Sequence, residues 1–286
     1  MAYINAMKYY MLPMIMLFFN LGCKDTGARD PEKIILPAKE LKNIPYGSDP
    51  DQKMDVYLPA GRDENTKVFI LVHGGGWSGG SKAGLNYVVP ILQAEFPNHA
   101  IVNINYRLAT MQSPAFPKQI QDIEKVVTHL KDSDYNISTD YAFIGASAGA
   151  HLAMLYSYKY DKDRDVKAVC NIVGPADFTD PFYAHHPYFQ FAAMYLVGDL
   201  SQHPEAAIEV SPALQVTKDS PPTIMFYGGK DPVVPASQGE RLKEKLDKMG
   251  VANEYHIYAN GGHGNWNPQT MADFKEKLVS FIKKHF

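Results

Sequence analysis

A doubly wound α/β domain with a mostly parallel sheet is the fold this sequence predicts. Three observations predict it. Short apolar runs of strand length alternate with segments of helical period from residue 54 to the end. From Val68 onward the expected strands are mostly short apolar runs rather than strict alternation, as expected of strands buried on both faces. One aromatic-rich stretch, about residues 175–216, interrupts the alternation as an insertion would. Strands are expected at 54–58, 68–72, 100–105, 141–145, 166–173, 223–227 and 254–258. Between them, Ile120, Ile123, Val127 and Leu130 share one helix face. Leu242, Leu246 and Met249 share another, in a helix that Ser237 and Glu240 could open as a capping box. The last helix shows Met271, Phe274, Leu278, Phe281 and Ile282 and ends on Lys283-Lys284, which suit its negative terminus.

Composition narrows the function classes. The 286 residues are 45% hydrophobic and 21% charged, a globular composition able to bury a large core. The net charge is 28 − 31 = −3 with no strongly basic run, which argues against nucleic acid as a partner. Two cysteines, Cys23 and Cys170, cannot build a disulfide framework or a cysteine-rich zinc site. Cys170 sits in an apolar run and reads as a small core hydrophobe.

The first 22 residues carry one charge, Lys8, and an apolar run from Leu12 to Phe19. That run is short for a membrane-spanning helix and fits the core of an export signal. Leu21-Gly22-Cys23, followed by Lys24-Asp25, resembles the lipobox of bacterial lipoproteins. The resemblance implies a signal peptide over 1–22, a lipid anchor on Cys23 and a cell-envelope location, with a plain secretory signal or an uncleaved anchor as the alternatives. Residues 24–43 hold nine charged residues and no apolar period. They are expected to form a solvated tether, with the folded domain over 44–286.

Chemistry concentrates in four places. Gly145-Ala146-Ser147-Ala148-Gly149 follows an expected strand and opens a helix, the context G-x-S-x-G requires. A sharp turn there exposes Ser147 as a candidate nucleophile, while the helix N-terminus offers N–H groups and a positive dipole end. His73-Gly74-Gly75-Gly76-Trp77 follows strand 68–72, and its glycines allow N–H groups to converge. Gly80-Ser81-Lys82 has the wrong order for a phosphate-binding P-loop, so an oxyanion hole shared with the N–H of Ala148 is the better reading. A serine needs a base, and the base an orienting acid. Asp231 and His263 lie on loops just past the last two strands, at the sheet edge that carries Ser147. Asp177, Asp180 and Asp199 are rival acids, which could line a mouth instead. His73 is expected to brace its loop and His151 to be structural. His185-His186 lack a third ligand at zinc spacing, so no metal is expected.

Seven aromatics fall within residues 178–195. They either bury one another or wall a pocket. In the second case Phe178, Phe182, Tyr183 and Phe189, with Trp77, are the candidate pocket residues.

Taken together, His73–Trp77, Asn105-Tyr106-Arg107-Leu108-Ala109 and Gly145–Gly149 resemble the α/β-hydrolase superfamily. Within it they resemble the hormone-sensitive-lipase-like esterases and, more closely, the bacterial feruloyl and acetylxylan esterase group. Met54-Asp55-Val56-Tyr57-Leu58-Pro59 resembles that group's opening strand, and Phe116-Pro117 with Asp122 its helix before the nucleophile strand. The resemblance covers roughly residues 44–286. It implies a triad of Ser147, Asp231 and His263, and oxyanion donors on Gly75, Gly76 and Ala148, with Trp77 as a substitute in the loop. It implies no cofactor. Ala146 stands where an acidic residue is common, and a long N-terminal cap is missing. Both departures point away from large lipids.

The expected activity is therefore serine carboxylesterase action on short-chain, aryl or carbohydrate-linked esters, acetyl or feruloyl in type. Amide hydrolysis of arylformamidase or peptidase kind is the alternative on the same residues. A non-catalytic surface binding protein on a hydrolase scaffold is the third. The sequence fixes no oligomeric state.

Overall fold

The computed structural model describes residues 35–184, 186–200 and 204–286. The expected signal peptide, the lipidation site Cys23 and the tether as far as residue 34 lie outside these residues.

Eight strands form one sheet: β1 (Lys39–Pro45), β2 (Lys53–Leu58), β3 (Val68–Val72), β4 (Ala100–Ile104), β5 (Tyr141–Ala146), β6 (Val166–Ile172), β7 (Thr223–Gly228) and β8 (Asn253–Tyr258). Their spatial order is β1-β2-β4-β3-β5-β6-β7-β8. β1 and β2 are antiparallel to their neighbours, and β4 through β8 run parallel. The continuously apolar strands are the central ones. Every residue of β3 and β4 is buried. Ile70, Val102, Phe143, Val169 and Met225 enter the core on one face. Their strand neighbours Phe69, Leu71, Ile144, Cys170 and Phe226 enter the core on the other. Cys170 is a buried free thiol, and burial pushes its pKa up, as suits a packing residue.

The flanking helices, in chain order, are α1 (Val88–Glu95), α2 (Lys118–Lys131), α3 (Ala148–Leu155), α4 (Pro181–Ala184), α5 (Pro187–Leu196), α6 (Ala206–Glu209), α7 (Pro212–Gln215), α8 (Ser237–Lys248) and α9 (Pro268–His285). The apolar stripes of α2, α3 and α8 bury into the first core, through Ile123, Leu152 and Leu242 among others. Those of α1 and α9 bury into the second, through Leu92, Phe274 and Leu278. The sheet is thus covered on both faces, as its strand composition requires. α4 through α7 fill the stretch between β6 and β7 and constitute the insertion. No helix among the described residues is long and apolar enough to cross a membrane.

Three local expectations need correction. β1 occupies residues expected to be tether. It pairs with β2 through Lys39↔Leu58, Glu40↔Tyr57 and Leu41↔Val56. It is an edge strand whose charged side chains face solvent, so its composition looks like that of a tether. The Ser237/Glu240 capping box does not form. Ala236 holds the N-cap position of α8, and the Ser237 hydroxyl donates to Asp180 Oδ2 at 2.8 Å. Met249 follows the end of α8 and is 40% exposed, outside the apolar stripe. The cap that does form is on α9, where Asn267 Oδ1 accepts from Thr270 N at 2.8 Å.

Candidate active site

The parallel register builds the site at the C-terminal ends of the strands. β3 and β5 pair with Val72 opposite Gly145, so loop 73–81 and the turn at Ser147 leave the sheet side by side. Ser147 has φ 51° and ψ −122°, a sparsely populated conformation for a side-chain-bearing residue. It is held there by its own N–H, which donates to Ile172 O at 2.8 Å, and by its carbonyl, which accepts from His151 N at 3.1 Å. The start of α3 lies tight against the end of β3. A Cβ at Gly149 would stand 2.1 Å from Val72 O and 2.2 Å from His73 O, so only glycine permits that approach.

β7 and β8 pair with Gly228 opposite Tyr258, and each delivers one residue to the same edge. Asp231 Oδ2 accepts from His263 Nδ1 at 2.7 Å, and His263 Nε2 faces Ser147 Oγ at 2.8 Å. With Nδ1 carrying the proton, Nε2 offers a lone pair to the serine hydroxyl. The Asp231 side chain is fully buried, while that of His263 is 26% exposed. The other carboxylate oxygen of Asp231 accepts from Val233 N at 2.8 Å and Val234 N at 3.0 Å, so the buried charge is hydrogen-bonded on both oxygens.

The rival acids have other partners. Asp177 binds Arg241 at 2.7 Å and the Thr179 hydroxyl at 2.6 Å. Asp180 accepts from Phe182 N, the Ser237 hydroxyl and Gln238 Nε2. Gln238 clamps the start of the insertion to α8: its Oε1 accepts from Ala176 N and Asp177 N, both at 2.8 Å.

The glycine loop is braced from behind. Gly75, Gly76 and Trp77 follow one another at φ 126°, 55° and 61°. For Trp77 a left-handed backbone costs roughly 1–2 kcal/mol, so its environment must hold it. Its carbonyl accepts from Ala109 N at 2.9 Å and Gln119 Nε2 at 2.7 Å. His73 Nδ1 donates to Gly74 O at 2.7 Å, and its ring stacks on Tyr106 with centroids 4.2 Å apart. The Tyr106 hydroxyl returns a bond to His73 O at 2.7 Å. Burial lowers the His73 pKa, which favours this neutral bracing form. Arg107, in the same segment, pairs with the fully buried Asp122 carboxylate at 2.6 Å, and Gln52 also donates to that carboxylate at 2.7 Å. Among the described residues, the N–H groups of Gly75, Gly76 and Ala148 have no backbone acceptor. They are available to a bound oxyanion.

Beside Ser147 lies a cavity of about 110 Å³. Trp77, Phe178 and Tyr183 line it, as the sequence led us to expect. Phe182 does not. It is 40% exposed, and its ring lies 5.0 Å from His186 and 5.6 Å from Tyr183. Phe189 is in α5, and its side chain lies outside what the structure describes. Sequence reasoning missed Val233, Val234 and His186 as lining residues. The valines could have been found from their place two and three residues after Asp231. Two larger open grooves, about 400 and 690 Å³, meet around His99 at the opposite ends of the parallel strands and contain no serine–histidine–acid set. Chemistry, rather than size, locates the site. Among the described residues no group of three or more His, Cys, Asp or Glu could hold a metal ion.

Comparison with known proteins shows the family and the fold. The family model BD-FAE matches residues 54–246. Esterase LipC of Mycobacterium tuberculosis is 29% identical over 243 residues, which cover 78% of this chain and 59% of LipC. The chain thus spans less than two thirds of that relative. A kynurenine formamidase of Danio rerio is 25% identical over 239 residues, covering 78% of this chain and 74% of the formamidase. Among solved structures, a truncated carbohydrate esterase from gut microbiota superposes with a TM-score of 0.69 at 23% identity, covering 85% of this chain and 96% of the other. At that identity the likeness speaks for the fold.

Proposed function

The chain belongs to the BD-FAE family and has the α/β-hydrolase fold, and from that premise we propose that it is a serine carboxylesterase for short acyl esters. The observation that carries this reading is the hydrogen-bonded line Asp231–His263–Ser147, at 2.7 and 2.8 Å, beside an apolar cavity and a glycine loop. Ser147 Oγ attacks the ester carbonyl while His263 Nε2 takes its proton. Asp231 orients the ring and stabilises the imidazolium. The N–H groups of Gly75, Gly76 and Ala148 receive the oxyanion. His263 returns the proton to the leaving alcohol, and the acyl group stays on Ser147. His263 then activates water, which releases the acid and restores the serine.

The cavity size favours the smaller of the expected acyl groups. At about 110 Å³ it is well below the ~300–1,000 Å³ of sites that enclose drug-sized ligands. An acetyl or butyryl group is compatible with that volume. A carbohydrate alcohol is our proposal for the leaving group, supported by analogy with the carbohydrate esterase of the same fold.

A panel of aryl esters of rising acyl length, run beside Ser147→Ala, tests the reading. Acetate and butyrate esters should turn over, longer acyl groups should fall away, and the variant should be silent. Wild-type silence on every ester would defeat it. The formamidase relative favours one second reading, hydrolysis of aryl formamides by the same residues. Faster turnover of formanilides than of acetate esters would put that reading first. We also propose export to the cell envelope with a lipid on Cys23. Incorporation of labelled palmitate that Cys23→Ala abolishes would support the anchor, and unlabelled wild type would refute it.

A further inference from the structure

His151 lies one helical turn beyond Ser147 and is fully buried. Its Nδ1 accepts from the indole Nε1–H of Trp77 at 3.1 Å. Its Nε2 donates to the carbonyl of Val210 at 2.8 Å. Because an indole N–H only donates and a carbonyl only accepts, the ring must be the neutral Nε2–H tautomer. Trp77 and Phe178 both pack edge-on against it, with ring centroids 5.4 and 5.2 Å away.

These contacts join three parts of the chain. Trp77 ends the left-handed run Gly75-Gly76-Trp77, and its backbone carbonyl is already held by Ala109 and Gln119. Only its indole remains to be fixed, and His151 fixes it. Val210 belongs to the insertion. Its neighbour Ser211 is buried and accepts from Phe178 N at 2.8 Å. Phe178 in turn lines the cavity beside Ser147.

We propose that His151 is a positioning residue with two separable roles, holding the Trp77 side chain to set the oxyanion loop and tethering the Val210–Ser211 corner to set the acyl-pocket wall. The inference rests on the esterase reading above. The Trp77 arm governs kcat, because an oxyanion hole acts on the transition state more than on bound substrate. The Val210 arm governs which acyl lengths are accepted.

The test measures kcat and KM on aryl acetate, butyrate and hexanoate esters, with active sites counted by a serine-directed phosphonate. His151→Gln places an amide at the Nε2 position, which keeps the donor to Val210 and leaves Trp77 unpaired. Trp77→Phe removes the indole donor and keeps a ring. Both should lower kcat on acetate by about 10-fold or more with KM changed less than about 3-fold. Their double variant should be little worse than either alone, because the two substitutions delete one interaction. His151→Asn keeps an acceptor near Nδ1 and loses the Val210 donor. It should hold kcat on acetate within about 3-fold and raise hexanoate relative to acetate by about 5-fold.

Unchanged kcat per titrated site in Trp77→Phe and His151→Gln would overturn the proposal, and so would losses that multiply in the double variant. Should His151→Gln fail to fold, Trp77→Phe decides alone by the same criterion. A folded wild type that hydrolyses no ester defeats the esterase reading itself, and the inference falls with it. That outcome is distinct from an active wild type with indifferent variants.

Discussion

Ser147 and His151 are four residues apart on one helix and use their environments in opposite ways. Ser147 is held in a strained turn that presents its hydroxyl to His263. His151 is sealed from water and must stay neutral to accept from Trp77 and donate to Val210. Burial lowers its pKa from 6.5 to about 4. Between those values the unfolded chain binds a proton that the folded chain refuses. Stability therefore rises with pH across that window and is lost as pH falls from about 6.5 toward 4. The loss attributable to this one group approaches roughly 3 kcal/mol at the acid end. Burial also lowers the pKa of His73, which acts in the same direction, so the informative quantity is a difference. Denaturant titrations of wild type and His151→Asn from pH 7 to 4.5 should show a shallower acid decline in the variant. Parallel declines would contradict the assigned protonation state.

At the scale of elements, the segment after β4 acts as a support for the glycine loop. Tyr106 bonds His73, Ala109 bonds Trp77, and Arg107 anchors the segment to Asp122 on α2. Removing the guanidinium leaves a fully buried carboxylate with Gln52 and the Arg107 backbone N–H as its donors. Arg107→Met should lower stability by about 3 kcal/mol, and ester turnover should fall further than folded fraction explains. A thermal melt and a per-site kcat check both parts, and a change in either one alone would show that the segment does not couple stability to the loop. The insertion is held differently, through Gln238 and Arg241 of α8. That clamp explains why helix α8 lacks its expected capping box, since Ser237 turns to Asp180 instead of its own backbone.

Across the whole molecule, strands β2 to β8 and helices α2, α3, α8 and α9 were legible because burial on both faces of the sheet leaves a plain mark. Strands such as 68–72 and 100–105 read as apolar runs, and Leu242 and Leu246 read as a stripe. Ser147 was legible from G-x-S-x-G between a strand and a helix, and Asp231 and His263 from strand ends and chain order. What the sequence hid has physical reasons. β1 is an edge strand, and its charged side chains mask its backbone pairing with β2. Val233 and Val234 line the cavity through the path of a loop that no periodicity encodes. Phe182 is aromatic and close in sequence to Phe178 and Tyr183, yet it packs outside them on His186, because helix α4 turns it outward. His151 looked structural and is so, but its two hydrogen bonds connect segments far apart in sequence that only folding brings together. The proposed activity depends on Ser147 as the nucleophile, activated by His263. Its most direct test is to treat the folded protein with a serine-directed phosphonate and map the adduct by peptide mass. One adduct is expected, on Ser147, formed far more slowly in His263→Ala. An adduct elsewhere, or none on a folded wild type, would contradict it.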